Sequence, residues 1–299
     1  MTGSVELVFW DVQHGHSTYI KSPNGRHIVV DLGIGSYDDN NRSFSPLLYL
    51  RNVYGVARLD YVIITHPHLD HIDDILNFDS LSPKVLNRPK QITNAEVMQE
   101  EEKIKTIRNQ DKPIFEKYCE INNRYSQSIH STDPDNTSNP DNYGGLNIQT
   151  FTPTSCDHKN FNNHSIISVF EYAGIKVVIP GDNEKCSFEE LMQRGDFNEA
   201  VKNSDILLAP HHGRESGYYN DFVSLVNQRL TIVSDGRFCE TSANGRYSQK
   251  SRGWDVYKRN GSKEFRRCLT TNTDGEIFVQ FGYSSDPNYE SFLNVRTKT

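Results

Sequence analysis

The sequence predicts an α/β protein in which two β-sheets pack face to face between layers of helices. Short runs of β-branched and apolar residues, typical of buried strands, occur in both halves of the chain. Segments with helical spacing of apolar residues follow several of these runs, and two groups of strands with their own helices suit a layered sandwich. Histidines and aspartates stand directly after several of the strands, which makes those strand ends candidates for a polar site.

The first half of the chain begins with a predicted hairpin. The turn Ser22-Pro23-Asn24-Gly25 separates two strand-like runs, and such a cluster is typical of a hairpin connection. The predicted strands of this half are short and apolar: Val5–Val12, Ser17–Lys21, Arg26–Leu32 and Leu59–Ile64. Helical spacing of leucines predicts a helix over Ser45–Val53, and a second helix is expected after His71.

Residues 85–145 differ in composition from the rest of the chain. The charged residues from Glu100 onward predict a pair of helices broken at Pro113. Residues 126–145 are rich in Ser, Thr, Asp, Asn, Pro and Gly, which is typical of a loop. We interpret residues 85–145 as an insertion in a single domain that spans residues 1–299. We expect this insertion to be a solvated helical excursion, with a lid over the substrate as the alternative.

The second half of the chain returns to the strand pattern. Its predicted strands are again short and apolar: Leu146–Phe151, Ile166–Tyr172, Lys176–Pro180, Asp205–Ala209, Thr231–Ser234 and Ile277–Phe281. Helices are predicted over Phe188–Arg194 and Phe222–Val226. This half therefore supplies the second cluster of strands that the sandwich requires.

Charge and composition exclude several classes of protein. The net charge of −7 argues against indiscriminate coating of nucleic acid, although it leaves room for a local basic groove. No apolar run approaches the roughly 18 residues of a transmembrane helix, and residues 1–11 do not resemble a secretion signal. The five cysteines are widely spaced and form no C-x-x-C motif, so reduced thiols are expected rather than a disulfide framework. These features predict a soluble, cytoplasmic protein.

One segment, Thr-His-Pro-His-Leu-Asp-His at residues 65–71, directly follows a predicted buried strand. In an extended turn, His66 and His68 point to the same side and can share one metal ion. Asp70 and His71 lie on the next bend and can hold a second ion close by. Imidazole and carboxylate ligands suit Zn²⁺ and, with more oxygen ligands, Mn²⁺ or Fe. The alternative is a polar loop that happens to be rich in histidine.

Acids and histidines also end three other predicted strands, at Asp31, at Asp182 and at the adjacent pair His211 and His212. With residues 66–71, and in this order along the chain, they resemble the metallo-β-lactamase superfamily. The resemblance implies a four-layered αββα sandwich that carries a site for two metal ions.

A closer resemblance is to the hydrolase domain of ComEC-type DNA-uptake proteins. The matching stretches are Phe9–Ser17, Pro23–Gly25, Val30–Gly33, Asn163–Ser168, Ile179–Asp182, Ala209–Gly213 and Thr271–Gly275. They extend along nearly the whole chain outside residues 85–145. The membrane channel of those proteins has no counterpart here, so the resemblance implies a free-standing hydrolase rather than a DNA importer. Two positions depart from the pattern, because His16 replaces an acid and His164 stands where the subfamily has Asn or Asp.

The resemblance implies a role for each candidate residue. The expected metal ligands are His66, His68, Asp70, His71, His164, Asp182 and His211. The expected catalytic residues are Asp70, Asp182 and His212. Which of His211 and His212 binds metal stays open, and the other would contact the substrate or protonate a leaving oxygen. Asp31, His16 and Arg214 are expected behind the ligands or against the substrate, with a turn or loop role as the alternative for Asp31 and His16.

The expected cofactors are two divalent metal ions, either Zn²⁺ or Mn²⁺. Such a pair lowers the pKa of a bridging water and neutralises charge on the attacked group. By resemblance, the nucleophile is then a metal-bound hydroxide, and no serine or cysteine nucleophile is required.

The expected substrate is a phosphodiester, either nucleic acid or a small molecule. Residues 246–267 contain eight Lys or Arg residues interleaved with four aromatic residues, a composition that suits phosphates and stacked bases. A basic helix with its aromatics packed inward is the alternative interpretation. Arg214, just after His-His-Gly, stands near the expected ligands. Two other functions stay open, namely hydrolysis of an ester, lactone or thioester, and a non-catalytic metal-binding module with the insertion as a docking surface for a protein partner.

Overall fold

The structure is a computed structural model that describes residues 3–35, 44–104, 111–235 and 243–299. The strands of this part of the chain are β1 (Val5–Phe9), β2 (Thr18–Lys21), β3 (His27–Val30), β4 (Tyr61–Ile63), β5 (Val85–Asn87), β6 (Asn147–Phe151), β7 (Ile167–Tyr172), β8 (Ile175–Ile179), β9 (Ile206–Leu208), β10 (Leu230–Val233), β11 (Trp254–Tyr257), β12 (Lys263–Arg266), β13 (Cys268–Thr270), β14 (Ile277–Tyr283) and β15 (Ser291–Thr297). The α-helices are α1 (Pro46–Asn52), α2 (Leu69–Ile72), α3 (Asn94–Ile104), α4 (Lys112–Arg124), α5 (Lys185–Leu191), α6 (Gly195–Val201), α7 (Asn220–Val226), α8 (Asn244–Lys250) and α9 (Thr271–Asp274). Every strand predicted from the sequence overlaps one of these strands.

The strands form two mixed sheets. The first has the order β12-β11-β15-β14-β1-β2-β3-β4-β5, and the second has the order β13-β10-β9-β8-β7-β6. Alternate residues of each strand face opposite sides, so Leu7, Ile63 and Val177 lie in the core between the sheets. Two further apolar cores lie under helices, one on the outer side of each sheet. This arrangement confirms the predicted sandwich of two sheets between helical layers.

Parallel strands bring the polar loops to one edge of the sandwich. Strands β3 and β4 are parallel in the first sheet, as are β8, β9 and β10 in the second. The loop after β4 is joined across the two sheets to the segment before β7, which runs antiparallel to β8, because Ile166 donates its N–H to Thr65 O at 3.0 Å. The carboxyl ends of parallel strands share an edge, where ligands usually bind in open α/β sheets.

The helix expected after His71 is instead a single turn, α2, that begins before it. The carbonyl oxygens of Asp70 and His71 accept hydrogen bonds from the N–H groups of His16 and Leu32, at 3.2 and 2.8 Å. Since these carbonyls are used by neighbouring loops, they are not available to extend the helix. A 3₁₀ helix over Ile75–Leu81 follows.

Residues 85–145 contribute to the core rather than lying in solvent on all sides. Helix α4 buries Ile114, Phe115, Tyr118 and Ile121 in the outer apolar core of the first sheet. The buried guanidinium of Arg88 donates to two main-chain oxygens just after these residues, Asn122 O and Tyr125 O. The lid interpretation of this segment stays a prediction.

The structure contradicts the expectation that the thiols are reduced. Cys156 and Cys186 form a disulfide, with their Cα atoms 6.2 Å apart and a sequence separation of 30. No local motif marks this pair, because folding alone brings the two segments together. Cys119 and Cys268 are free, and Cys239 lies outside the described residues. Among the described helices, none is long and apolar enough to cross a membrane.

Candidate metal centre

Asp182 is held at the middle of the candidate site by a tight turn after β8. Gly181 has φ +59°, and a Cβ there would lie 2.8 Å from side-chain atoms of both Thr65 and Ser165. Only glycine therefore fits between these two segments. The N–H of Asp182 donates to Ser165 Oγ at 3.1 Å, which orients the carboxylate toward the histidines of the first sheet.

One group of potential ligand atoms is formed by His66, His71 and Asp182, all of them buried. His71 Nε2 lies 3.3 Å from Asp182 Oδ1, and His66 Nε2 lies 3.9 Å from Asp182 Oδ2. His68 adjoins this group, since its Nδ1 lies 2.9 Å from His66 Nε2. The loop after β4 thus supplies three imidazoles to one side of Asp182.

A second group is formed by His14, Asp70 and His212. Asp70 Oδ2 lies 3.3 Å from the Nε2 atoms of both His14 and His212. The groups adjoin each other, because His212 Nε2 lies 3.4 Å from Asp182 Oδ2 and Asp70 Oδ2 lies 3.9 Å from His71 Nε2. Asp182 therefore presents one oxygen to His71 and the other to His212.

The hydrogen bonds of His71 and His212 test whether the site suits metal ions. His71 Nδ1 lies 2.8 Å from Asp31 Oδ2, and His212 Nδ1 lies 3.0 Å from the carbonyl oxygen of Ser234. Both partners only accept, so both Nδ1 atoms carry the proton. In the neutral rings the two Nε2 lone pairs then face each other across 3.3 Å, beside the Asp182 carboxylate. Such a set of inward-facing donors fits divalent cations.

The charges of the centre favour a cation as well. Burial would lower the pKa of His212, but Asp182 and Asp70 outweigh it and raise that pKa to about 10. In the same way Asp182, Asp31 and Asp70 raise the pKa of His71 well above its ordinary value, against the effect of burial. Burial would raise the pKa of Asp182, yet His212 and His71 hold it well below the usual range. These buried carboxylates thus require positive charge beside them, from protons or from metal ions.

Asp31 lies directly behind His71. Its Oδ1 accepts from Thr65 N–H at 2.6 Å, and its Oδ2 contacts both His71 Nδ1 and His16 Nδ1, at 2.8 and 2.9 Å. His16 also contacts Thr18 Oγ1 at 2.7 Å through Nε2, so both of its ring nitrogens are used. The structure therefore places His16 behind Asp31 rather than over the metal-binding face.

His211 and His212 adopt consecutive left-handed conformations, with φ of 48° and 54°. This conformation is uncommon for residues other than glycine and indicates local strain. It sends the two rings in different directions. The structure places His212 among the potential ligands, whereas His211 lies farther out, with Nε2 3.8 Å from Asp182 Oδ2 and Nδ1 3.1 Å from Glu184 Oε1. This placement favours His212 over His211 as the ligand, the choice that the sequence left open.

His164 is not brought into any of the ligand groups that the described residues form. Its Nδ1 lies 3.3 Å from Gln91 Nε2, and its ring packs against that of His158. The 3₁₀ turn Phe161–His164 instead presents Phe161 to the centre, where its ring stacks on His68 with centroids 5.6 Å apart. The structure therefore does not group the predicted third histidine of the first site with His66.

Arg214 lies at the mouth of the centre beside two histidines. Its guanidinium nitrogens lie 3.3 Å from His211 Nε2 and 3.4 Å from His14 Nε2. The sequence pattern alone did not identify His14 and Glu184 as members of the centre. His14 lies two residues before His16, and Glu184 follows Asp182 by two residues, so both stand close to recognised motifs.

Most of the chain matches one protein-family model, and parts of it are similar to known proteins. The family described as the metallo-beta-lactamase superfamily matches residues 10–234. ComE operon protein 3 of Bacillus subtilis (strain 168) is 22% identical over 250 residues, which cover 79% of this chain and 28% of that protein. The transcription termination factor FttA of Methanosarcina mazei is 37% identical over 57 residues, 19% of this chain and 9% of that protein. The chain thus spans less than a third of the length of either curated relative.

One solved structure supports the fold. A mutant of the β-hydroxylase CmlA has a TM-score of 0.53 at 11% identity, over 93% of this chain and 54% of the other. At that identity the similarity concerns the fold alone.

Proposed function

Because the chain belongs to the metallo-beta-lactamase superfamily, we propose that it is a hydrolase that uses two divalent ions, Zn²⁺ or Mn²⁺, to cleave phosphodiesters in nucleic acid. One observation carries the proposal. Arg214, which is always charged and has planar donors suited to phosphate, lies at the mouth of a centre built from inward-facing imidazoles and carboxylates. An anionic substrate would be held there against the metal-binding groups.

The residues that would hold the ions surround Asp182: His66, His68, Asp70, His71 and His212. When bound, a pair of such ions lowers the pKa of water and neutralises charge on the attacked phosphate. Asp182 would contact both ions, since its two oxygens face His71 and His212 respectively. Asp31 and the Ser234 carbonyl keep the protons of those imidazoles on Nδ1, so that Nε2 is free to bind.

The residues at the mouth would act on the substrate. Arg214 would bind a phosphate oxygen through two N–H groups in place of its present histidine contacts. His211 would deliver a proton from Nε2 to the leaving oxygen, because its Nδ1 is positioned by Glu184 at 3.1 Å and Ser216 Oγ at 2.8 Å. The ring of His211 is partly exposed, at 12% against 3% for His212, which leaves it accessible to a substrate.

The experiment is hydrolysis of bis-p-nitrophenyl phosphate and labelled single-stranded DNA by metal-free protein reloaded with Zn²⁺ or Mn²⁺. Asp182→Asn should lose bound metal and both activities. Asp205→Asn, a change at an equally buried aspartate outside the site, should retain them. Two ions per chain with hydrolysis of p-nitrophenyl acetate alone would contradict the phosphodiesterase and support a carbonyl esterase.

A further inference from the structure

A large cleft lies on the outer face of the first sheet, apart from the candidate metal centre. Its volume is about 980 Å³, at the upper end of the range for ligand pockets. Its floor is formed by outward-facing residues of β1, β14 and β15, including Glu6, Gln280 and Arg296. Leu7 and Val279 also border the cleft, but like Val295 they are buried in the core between the sheets, so the side chains of Glu6, Gln280 and Arg296 lie on the opposite, outer face.

The tip of the hairpin formed by β11 and β12 closes one side of the cleft, with Tyr257, Lys258 and Arg259. This hairpin belongs to the basic stretch 246–267. Four of the eight cations of that stretch form ion pairs, namely Arg246 with Glu215, Lys258 with Glu264, Lys263 with Asp255 and Arg266 with Asp274. Trp254 is also used internally, since its indole N–H donates to Leu293 O. The interpretation of the stretch as a nucleic-acid surface stays a prediction, and the hairpin tip is the part of it that lines the cleft.

The cleft is basic although the protein is acidic. Four cations line it, Lys258, Arg259, Arg296 and Lys298, against one carboxylate, Glu6. Lys258 pairs with Glu264 and Lys298 with Glu276. Within the described ranges, Arg259 and Arg296 form no ion pair, and both are exposed. The net charge of the chain is −7, so this is a local concentration of positive charge.

Aromatic rings border the same cleft. Tyr257 and Tyr54 are 40% and 42% exposed, high values for rings that line a cavity. Tyr54 is held in place by ring contacts with Tyr19, Tyr49 and Trp10 at centroid distances of 5.9, 5.5 and 5.8 Å. A fixed and exposed ring beside unpaired guanidinium groups is the combination that binds a base together with its phosphates.

The cleft and the metal centre lie at the same end of the first sheet. Tyr257 of β11 lies opposite Arg296 of β15, which lies opposite Phe278 of β14. Ile277, the residue before Phe278, lies opposite Phe9 at the end of β1, and the loop that carries His14 follows. A strand of nucleic acid that leaves the metal centre on this side of the protein would pass the cleft.

We propose that this cleft binds a segment of single-stranded nucleic acid flanking the segment at the metal centre, with Arg259 and Arg296 on phosphates and Tyr257 and Tyr54 stacked on bases. The proposal deepens the proposed function, and it rests on that function for the choice of ligand. The polymer rather than a mononucleotide is the expected ligand, because two separate cations and two separate rings are available.

The test is binding of fluorescein-labelled dT12 and rU12 to the metal-free protein in EDTA, measured by fluorescence anisotropy. The variant R259E/R296E should raise Kd at least tenfold and lower the slope of log K against log salt by about 1.4, because two cations no longer neutralise phosphates of a single strand. Y54A/Y257A should raise Kd at least fivefold. The control R194E/K202E, which makes the same change of charge beside α6, should stay within twofold of wild type. Where R259E/R296E melts below wild type, R259Q/R296Q takes its place.

The proposal for the cleft is overturned if R259E/R296E and R194E/K202E have equal Kd and salt slope. It is also overturned if the protein binds neither oligonucleotide. Hydrolysis of bis-p-nitrophenyl phosphate separates this outcome from failure of the proposed function, since that substrate is too small to span both sites. If the protein hydrolyses the small substrate but its oligonucleotide binding does not depend on Arg259 and Arg296, the proposal for the cleft is refuted and the proposed function stands. If oligonucleotide binding depends on Arg259 and Arg296 but no hydrolysis occurs, the proposed nuclease activity is refuted and the proposal for the cleft stands. Where binding depends on Arg259 and Arg296, the lower Kd of dT12 and rU12 identifies which nucleic acid the cleft prefers.

Discussion

The Nε2 atoms of His71 and His212 lie 3.3 Å apart, although 141 residues separate the two histidines in sequence. Each ring is turned by a different acceptor, the Asp31 carboxylate for His71 and the Ser234 carbonyl for His212. The two sheets therefore each contribute one imidazole whose free nitrogen points at the same place. This geometry is stable only when protons or a cation lie between the nitrogens and the neighbouring carboxylates.

Substitution of His212 should reduce metal binding, whereas substitution of His211 should reduce the catalytic rate. His212→Ala should reduce the bound metal, because Nε2 of His212 lies among the potential ligands. His211→Ala should retain both ions and lower kcat roughly 10²- to 10⁴-fold, the usual contribution of a general acid. Metal content by mass spectrometry of the purified variants, together with kcat for bis-p-nitrophenyl phosphate, checks this. Loss of metal in His211→Ala with full occupancy in His212→Ala would reverse the assignment.

Removal of the Asp31 charge should weaken metal binding without removing a ligand. Asp31→Asn cannot hold the Nδ1 proton of His71 as strongly, and such outer partners are worth about 10- to 100-fold in metal affinity. Competition with a chromogenic chelator measures the change. His16→Gln should give a smaller effect, since His16 contacts Asp31 rather than His71. Unchanged affinity in Asp31→Asn would show that Thr65 and packing alone orient the ring.

Stability should depend on pH through Asp74, a residue outside the metal centre. Burial raises the pKa of this carboxyl to about 6, although Asn77, Ser45 and Leu47 N–H hydrogen-bond to it. A group with a raised pKa in the folded state contributes stability below its unfolded pKa and loses it as pH rises through the folded value. The unfolding free energy of wild type relative to Asp74→Asn should therefore fall by roughly 2 to 3 kcal/mol between pH 4 and pH 7.

Urea unfolding at a series of pH values provides this comparison. The variant is a suitable reference, because asparagine has nearly the same shape and does not ionise. Acidic groups elsewhere titrate in both proteins and cancel in the difference. A difference that is constant with pH would mean that Asp74 is not shifted.

The disulfide between Cys156 and Cys186 should stabilise the protein. A bond that closes a loop of this length restricts the unfolded chain and is worth about 3 kcal/mol. C156S/C186S, and wild type treated with reductant, should therefore unfold at lower denaturant. C119S, a change at a free cysteine, is the control. If reductant lowers stability equally in wild type and in C156S/C186S, the bond is not the cause.

Local patterns in the sequence were sufficient for the fold class and for the outline of the site. Strands such as β4 and β8 are runs of β-branched residues that must be buried, and their alternating faces require a sheet on one side and helices on the other. The segment 65–71 has its ligand-type residues close in sequence, so a single turn can bring them together. Asp31 and Asp182 were recognisable because each stands at the end of such a strand.

Contacts between distant segments determined the rest. His14 approaches Arg214 across 200 residues of sequence, and His211 turns outward because the chain adopts two left-handed residues before Gly213. The pairing of Cys156 with Cys186, the burial of α4 and the ion pairs of four cations in 246–267 depend likewise on which surfaces meet. Periodicity specifies which residues are buried, but not their partners, because a side chain's neighbours are set by the packing of whole sheets and helices.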